Sequence, residues 1–242
     1  MKEQKSSGRE LGSWNKMEWY EELDFDENPF GIDSKYVGNE DLLDEVFYSI
    51  MSGNIIVIQG EEGSGKTRVM KEIVRKFGGK GKIAYVNGKN LDKELNVETL
   101  INKKKGWFRK NPKNIILLLD DVEHISEKNM ERIKYYFDQN YVRTVMLGTS
   151  KPEELKLSPS LKQRVWKKLE VGKLSDYEAV QVVRERLGNE MLTDRVIKAV
   201  YKESDKNMKK FMENCEIICK AYIDNKDIKE DEVKNILERG KK

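Results

Sequence analysis

The residues with the clearest chemical potential form a glycine-rich run, GEEGSGKT, at positions 60–67. The run matches the pattern GxxxxGK[ST], in which glycines allow the backbone to turn so that successive N–H groups point at one anion. A helix after the run would direct its positive end at the same charge. Lys66 would then bridge the β- and γ-phosphates of a nucleotide, and the Thr67 hydroxyl would ligate Mg²⁺. The predicted phosphate-binding residues are Gly60, Gly63, Ser64, Gly65, Lys66 and Thr67.

A second candidate group is the acidic pair Asp120 and Asp121, which directly follows the apolar run IILLL. A buried strand that ends in an acid can hold a carboxylate beside a phosphate-binding loop. We expect Asp120 to share the Mg²⁺ with Thr67, and Asp121 to polarise an attacking water. The alternative is a loop start that caps a helix, but the upstream glycine-rich motif favours the catalytic interpretation. The two motifs together predict ATP or ADP with Mg²⁺ as the ligands.

The elements that must position these residues alternate along the chain. Short apolar runs predict strands, and three- and four-residue spacing of apolar side chains predicts helices. The predicted strands lie at 55–59, 83–86, 115–119, 142–147 and, as a short fifth, 169–171. The predicted helices lie at 39–51, at 66–77 and after the capping residue Ser126. This alternation indicates an α/β fold, with a parallel sheet and helices on both faces.

The strand signals stop near residue 172, and helical periodicity continues alone. Ser175 and Glu178 have the spacing of a capping box at a helix start. Further helices are expected at 175–187, 193–203, 207–224 and 230–239. We therefore divide the chain into an N-terminal segment (1–30), an α/β nucleotide-binding domain (31–171) and a small all-helical domain (172–242).

Composition argues against a membrane-spanning protein and against a globally basic nucleic-acid-binding protein. No run reaches the about 18 apolar residues that a membrane-spanning helix needs. Because 46 Lys and Arg nearly balance 43 Asp and Glu, to a net charge of +3, any contact with nucleic acid must come from a local patch.

Cys215 and Cys219 are the only cysteines and lie on the apolar stripe of one predicted helix, which favours packing over zinc binding. With no secretory leader recognised, this cysteine usage predicts the cytoplasm.

Two segments have alternative interpretations. The aromatic and acidic stretch at 14–30 is either a strap that packs on its own domain, which we favour, or a docking segment for a protein partner. The run from Lys103 to Lys113 is the most basic in the chain and contains Trp107 and Phe108. It is either a DNA contact that combines phosphate binding with base stacking, or a solvated loop before the strand at 115–119.

The order and spacing of these motifs resemble those of AAA+ ATPases, and in particular the archaeal origin-recognition-type and DnaA-like initiators, from about residue 28 onward. GEEGSGKT resembles the family's Walker A motif and LLDD, at 118–121, its Walker B motif. The resemblance implies a P-loop NTPase sheet with flanking helices, followed by a helical lid domain. Initiators of this kind usually add a winged-helix domain, for which this sequence leaves no room, so we expect a minimal form.

The same resemblance assigns further candidate residues. Tyr36 and Val37 lie in a segment similar to the one that helps to cover the adenine. The stretch VMLGTSKP, at 145–152, resembles the sensor-1 strand, with Thr149 or Ser150 as the polar residue. LKQR, at 161–164, resembles the segment that presents an arginine finger, Arg164, to a neighbouring subunit; a bond within the chain is the alternative for Arg164. Lys209 is the best match to sensor 2.

Three departures from the family pattern predict slow hydrolysis. Asp121 stands where the family usually has Glu, which withdraws the base by about one C–C bond. Glu123 could compensate only if its loop turned inward. Lys209 replaces the usual arginine and cannot make a bidentate phosphate contact, and Thr149 or Ser150 replaces the usual asparagine.

The resemblance thus implies an ATP-dependent switch or slow ATPase in DNA replication, repair or mobile-element maintenance. Its catalytic residues would be Asp121, Lys66, Thr149, Ser150 and Arg164, and Arg164 would act in a homo- or hetero-oligomer. The alternative is a nucleotide-bound adaptor that does not hydrolyse ATP and docks a partner through residues 14–30. A small-molecule P-loop kinase is a third hypothesis, which leaves the C-terminal helices unexplained.

Overall fold

A parallel five-stranded sheet forms the centre of the N-terminal part. The computed structural model describes residues 17–32, 34–78, 82–91, 95–102 and 113–241. Within these residues the strands are β1 (Ile55–Gln59), β2 (Lys82–Asn87), β3 (Ile115–Asp120), β4 (Val142–Thr149) and β5 (Val165–Glu170). Their spatial order is β2-β3-β4-β1-β5, and every pairing is parallel. The predicted α/β fold class is confirmed.

Helices cover both faces of this sheet, which explains why β1 (IIVIQ) and β3 (IILLLD) are apolar up to their last residue. They are α1 (Glu40–Ser52), α2 (Lys66–Phe77), α3 (Val97–Asn102), α4 (Glu127–Asp138) and α5 (Pro159–Lys162). Ile55 and Val57 of β1 face a core with Met130 and Ile133 of α4. Ile56 and Ile58 face the opposite core, with residues of α1 and α2. Alternate residues of one strand therefore fill two separate cores.

The fifth strand is longer than predicted. β5 begins at Val165 rather than at residue 169, and only Leu169 of its six residues is buried. It is an edge strand, so its sequence, VWKKLE, lacks the apolar run that marks the central strands. Ile55 pairs with Val165 and Ile56 with Lys167, so Trp166 is an extra residue that bulges towards Tyr48. The short helices α3 and α5 were not predicted, because four to six residues are too few to show periodicity.

The C-terminal part, which we call the lid, consists of α6 (Asp176–Leu187), α7 (Asp194–Glu203), α8 (Met208–Asp224) and α9 (Val233–Gly240). These helices lie within one to three residues of the predicted bounds and enclose their own core. The capping box is confirmed: Glu178 N donates to Ser175 Oγ at 3.2 Å, and Ser175 N donates to Glu178 Oε2 at 2.7 Å. Cys215 and Cys219 are buried in the lid core, and burial raises the pKa of Cys219 to about 12.

The described part of the N-terminal segment packs on the lid and not on the sheet. Trp19, Leu23, Phe25 and Phe30 contact the lid core. Trp19 stacks on Phe30 with 6.3 Å between ring centroids, and Lys220 of α8 lies over Trp19. Residues 17–30 therefore form a strap across the lid. The division of the chain at residues 30 and 171 stays a prediction.

Some predictions fall outside the described residues. These are the part of the N-terminal segment before residue 17 and all of the basic run except Lys113. Among the described helices, none is both long and apolar enough to cross a bilayer.

Candidate functional site

All the predicted nucleotide-binding residues except Gly60 line one cavity at the carboxyl ends of the strands. The cavity has a volume of about 400 Å³ and lies between the loop that joins β1 to α2, the segment before α1, and the lid. Parallel strands direct their following loops to this edge, so such sheets bind ligands there. The cavity is lined by Tyr36, Val37, Gly63, Ser64, Gly65, Lys66, Thr67, Asp120, Asp121, Ser150 and Lys209 among the predicted residues.

The loop between β1 and α2 needs its glycines for different reasons. Gly63 has φ +79°, and a Cβ there would lie 2.5 Å from Asn207 Oδ1 in the lid. Gly65 has φ +109° with open space beyond it. Both conformations lie in the left-handed region that favours glycine. The Ser64 hydroxyl is buried and has no hydrogen-bond partner in the part of the chain that the structure describes, which leaves it available to a ligand.

Lys66 occupies the centre of the loop. Its Nζ donates to the carbonyl oxygens of Gly60, at 2.8 Å, and Glu61, at 2.9 Å, so the loop curls around its own lysine. Gly60 thus supports the site without lining the cavity. Burial lowers the pKa of Lys66, although Asp120 and Asp121 act in the opposite direction. A poorly solvated ammonium at the start of a helix is well suited to an anionic ligand.

Thr67 and Asp120 form the predicted metal site. Thr67 Oγ1 donates to Asp120 Oδ2 at 2.6 Å, and the Tyr85 hydroxyl donates to the same oxygen at 3.3 Å. Asp120 is only 1% exposed, because β3 is buried along its whole length. A hydroxyl and a carboxylate side by side are hard oxygen donors of the kind that Mg²⁺ prefers, so the residues present fit that ion.

Asp121 is held on the side of β2. It has φ +50° and begins the short turn Val122–His124. Asn87 Nδ2 donates to its Oδ2 at 3.0 Å, and Lys89 Nζ lies 3.5 Å from its Oδ1. Both carboxylate oxygens therefore have partners. Sequence reasoning missed Asn87, the last residue of β2, and Lys89, which lies just beyond it, because neither belongs to a motif.

Thr149 ends β4, the neighbour of β3, and Ser150 follows it, but the two residues have different surroundings. Ser150 lines the cavity. Thr149 is fully buried; its hydroxyl donates to Glu123 Oε2 at 2.9 Å and accepts from Lys151 N at 3.0 Å. The turn after β3 thus directs Glu123 towards the end of β4.

The opposite wall of the cavity is formed by Tyr36, Val37 and the lid. Burial raises the pKa of Tyr36 to about 12, with Glu72 acting in the same direction. Arg186 of α6 also lines the wall and donates to the carbonyl of Pro29 at 2.8 Å. Sequence reasoning missed Arg186, because no local pattern distinguishes it from the other charged residues of α6.

The lid also contacts the phosphate-binding loop directly. Lys209 N donates to Gly63 O at 3.1 Å, and Asn207 Nδ2 donates to Glu62 O at 2.6 Å. Lys209 therefore lies at the cavity, where the resemblance places it.

Arg164 lies away from this cavity. Its Nε donates to Asp138 Oδ1 at 2.7 Å, and its Nη1 donates to Ser160 O at 2.8 Å. Arg164 therefore makes an ion pair within the chain, which was the alternative to an arginine-finger role. A role towards a neighbouring subunit stays a prediction.

Comparison with known proteins assigns the chain to a family. The family described as AAA domain matches residues 52–180, which span the sheet and the start of the lid. The chain belongs to the AAA domain family. A search of curated proteins found no match.

Two solved structures share the fold of this AAA domain. RuvB of Thermotoga maritima, the Holliday junction branch migration motor, is 15% identical with a TM-score of 0.67, over 88% of this chain and 73% of RuvB. Orc1 of Aeropyrum pernix, solved in complex with DNA, is 12% identical with a TM-score of 0.67, over 86% of this chain and 66% of Orc1. Because both fit equally well, the likeness does not single out the initiator subfamily.

Proposed function

We propose that this AAA domain binds ATP and ADP with Mg²⁺ and acts as a slow ATPase whose nucleotide state sets the position of its lid. One observation carries the proposal: a single cavity is walled by the phosphate-binding loop on one side and by Lys209 and Arg186 of the lid on the other. A nucleotide in this cavity would contact both parts of the chain at once. Its phosphates would therefore change the contacts of Gly63 and Glu62 with the lid.

The roles of the binding residues follow from their positions. The backbone N–H groups at 63–67 and Lys66 Nζ would hold the phosphates, and Ser64 Oγ would gain the partner that it lacks among the described residues. Thr67 and Asp120 would hold the Mg²⁺, which, when bound, supplies positive charge to the phosphate oxygens. Tyr36 and Val37 would contact the base.

Slow turnover is supported by the surroundings of Asp121. Its side chain is short, and Asn87 and Lys89 already occupy both of its oxygens. A base that must first give up two partners accepts a proton from water poorly. The same contacts support a second candidate function, a nucleotide-bound adaptor that does not hydrolyse ATP. Docking through the strap is less favoured, because Trp19 and Phe30 already pack on the lid.

A role in DNA-related assembly is proposed from similarity to other proteins. RuvB and Orc1 share the fold, and the sequence resembles initiators, so replication, repair or mobile-element maintenance is the proposed context. Arg164 would act in an oligomer, and the run from Lys103 to Lys113 would contact DNA.

Calorimetric titration with ADP and with a slowly hydrolysed ATP analogue tests nucleotide binding. We expect Lys66→Ala to weaken binding at least about tenfold, because it removes a charge-assisted contact to phosphate. Lys202→Ala, an exposed lysine of α7, is the matched control and should bind like the wild type. Absence of binding by the wild type would overturn the proposal. If the wild type hydrolyses ATP in a single turnover no faster than Lys66→Ala does, the ATPase proposal fails and the adaptor that does not hydrolyse ATP is favoured.

Mass measurement with ADP or the ATP analogue, with and without DNA, tests assembly. We expect the analogue to favour an oligomer and Arg164→Ala to lower the hydrolysis rate in it. Asp138→Ala breaks the same ion pair but keeps Arg164, so it should retain the rate. A monomer whose mass ignores both nucleotide and DNA would contradict the switch.

A further inference from the structure

We infer that a groove between α2 and Tyr85 of β2 docks an acidic segment of a protein partner, and that this segment also carries apolar side chains. The groove has a volume of about 620 Å³. It shares Thr67 and Arg68 with the nucleotide cavity and continues along α2 as far as Arg75. The docking itself does not depend on the proposed ATPase.

The rim of the groove is basic. Arg68, Lys71 and Arg75 recur at three- and four-residue spacing, so they form one stripe on α2 that is about 10 Å long. Lys35 adds a cation where the groove meets the nucleotide cavity. Among the described residues that line the groove, the only acid is Glu72, which is buried and pairs with Arg68 at 3.1 Å and with Arg75 at 2.6 Å. The groove therefore keeps a net positive charge, which complements an acidic partner.

The floor between these cations is apolar and partly open to solvent. Val74 is 42% exposed and Tyr85 is 43% exposed, and both line the groove next to the buried side chain of Met70. An exposed apolar patch with a polar rim is typical of a site for a protein partner. Apolar side chains of the partner would pack on this floor while its carboxylates face the basic rim.

A single strand of nucleic acid fits the groove less well. Sites of that kind stack successive bases on several aromatic side chains. Tyr85 is the one aromatic residue among the described residues that line the groove, and Val74 and Met70 are aliphatic. We therefore favour a peptide, and the experiment below includes nucleic acid as a competitor.

Tyr85 connects the groove to the candidate metal site. It lines the groove, and its hydroxyl donates to Asp120 Oδ2 at 3.3 Å. Thr67 lines both spaces and donates to the same oxygen. A partner packed on Tyr85 would hold its hydroxyl on Asp120 and oppose release of that oxygen to Mg²⁺. Occupation of the groove should therefore weaken binding of a nucleotide with Mg²⁺, a consequence that rests on the proposed function.

Fluorescence polarisation with labelled peptides, without nucleotide, tests the docking. We expect a peptide of Glu-Leu-Glu repeats to bind with a Kd below about 1 mM. Glu-Ser-Glu repeats have the same charge but no apolar side chains, and should bind at least about tenfold more weakly.

Two exposed residues of α2 that line only the groove allow its charge and its floor to be tested separately. Lys71→Glu reverses a charge of the rim and Val74→Ser removes apolar surface, and each should weaken binding of Glu-Leu-Glu repeats at least about threefold. Lys202→Glu makes the same charge change on α7, away from the groove lining, and should bind like the wild type.

Two results would overturn the docking. One is no binding of Glu-Leu-Glu repeats by the wild type up to about 1 mM, or equal binding by the wild type, Lys71→Glu and Val74→Ser. The other is a labelled oligothymidylate that binds more tightly than the peptide and loses affinity in Lys71→Glu, which would assign the groove to nucleic acid.

Tyr85→Phe tests the connection to the nucleotide cavity, because it keeps the ring and removes the hydroxyl. Saturating peptide should lower the affinity of the wild type for the ATP analogue with Mg²⁺ about fivefold. Tyr85→Phe should bind the peptide like the wild type but lose this coupling. Equal coupling in both proteins would show that Tyr85 does not transmit it. If the wild type binds the peptide but no nucleotide, the proposed function fails and the docking stands.

Discussion

Asp120 is the residue on which the polar side of the cavity depends. It is a nearly completely buried carboxylate, and hydroxyls from α2 and β2 donate to one of its oxygens. A buried acid of this kind is tolerated only where donors satisfy it. The hydrogen bonds between these candidate metal ligands and Tyr85 therefore also contribute to the stability of the fold in the absence of nucleotide.

Substitution of Thr67 tests this double role. Thr67→Val removes the 2.6 Å hydrogen bond to Asp120, and we expect the free energy of unfolding to fall by about 1–3 kcal/mol, the penalty of a poorly satisfied buried group. Thr67→Ser keeps the hydroxyl and should lose less than about 1 kcal/mol. Urea unfolding without nucleotide measures both variants. Equal stabilities of the Val and Ser variants would show that Asp120 does not need this donor.

Side chains within one motif were predictable, and so was the proximity of Thr67 to Asp120, but other contacts between distant segments were not. The spacing GxxxxGK[ST] fixes which atoms of residues 60–67 face a ligand, because the loop is continuous. Asn87 reaches Asp121 across 34 positions, and Thr149 reaches Glu123 across 26. Such pairs depend on the order and register of the strands, which a single sequence does not contain.

Two elements connect the lid to the rest of the molecule. At the start of α6, Glu178 accepts from Ser175 N and from Asn39 N, which lies just before α1. At the start of α8, Asn207 caps its own helix and also donates to Glu62 O in the phosphate-binding loop. Each helix start is thus also a contact between the lid and the segments that flank the cavity.

The capping box at α6 should make stability depend on pH. Hydrogen bonds from Ser175 lower the pKa of Glu178 below its ordinary 4.5. A lowered carboxylate pKa stabilises the fold above the unfolded value, and the contribution is lost as the pH falls through the lowered pKa. We expect Glu178→Gln to be less stable than wild type at pH 7, and the difference to shrink below pH 4.5. Thermal unfolding of both proteins across this range is the measurement, and a constant difference would contradict the prediction.

Asn207 allows the two functions of the α8 start to be separated. Asn207→Ala removes both the cap and the donor to Glu62, and should lower stability by about 0.5–2 kcal/mol. Asn207→Ser keeps a good capping oxygen but has no amide to reach Glu62. We expect Asn207→Ser to retain most of the stability that Asn207→Ala loses, while its nucleotide affinity stays below that of the wild type. If Ser and Ala bind nucleotide like wild type, the contact with the loop does not contribute to the site.

The positions of helices and strands were predicted best where the elements are long or well buried. β1 and β3 are buried on both faces and carry unbroken apolar runs, and β4 is buried except at Arg143, so their positions were evident. β5 is an edge strand with a bulge. None of its first four residues is fully buried, so they lack an apolar pattern and were not predicted to be part of the strand. The four lid helices were located within a few residues, because each buries one stripe in a shared core.

At the scale of the whole molecule, the described residues form three hydrophobic cores, and the third combines the strap with the lid helices. The two sheet cores are built from residues between Val46 and Val171. The lid core draws on α6–α9 and on the strap. Aromatic residues in the strap indicated that it would find a core, but the sequence did not indicate which one.

Trp19 tests whether the strap contributes to the lid. Trp19→Ala removes the stacking on Phe30 and the contact with the lid core, and we expect it to destabilise the lid by about 1–3 kcal/mol. Met17→Ala is the control, because Met17 is 60% exposed. Urea unfolding followed by lid-specific hydrogen exchange is the measurement. Equal stability of the Trp19 variant and wild type would show that the strap is only loosely held.

The strap also has a consequence for synthesis on the ribosome. Its residues are made well before their partners in the lid: Arg186 is 157 positions beyond Pro29, and Glu216 is 188 positions beyond Asn28. At about 5–20 residues per second, Trp19 and Phe30 wait many seconds for the helices that cover them. During that interval the sheet can form while the aromatic strap stays exposed to solvent and to chaperones. The strap therefore stays uncovered until α8, which carries Glu216, has been made.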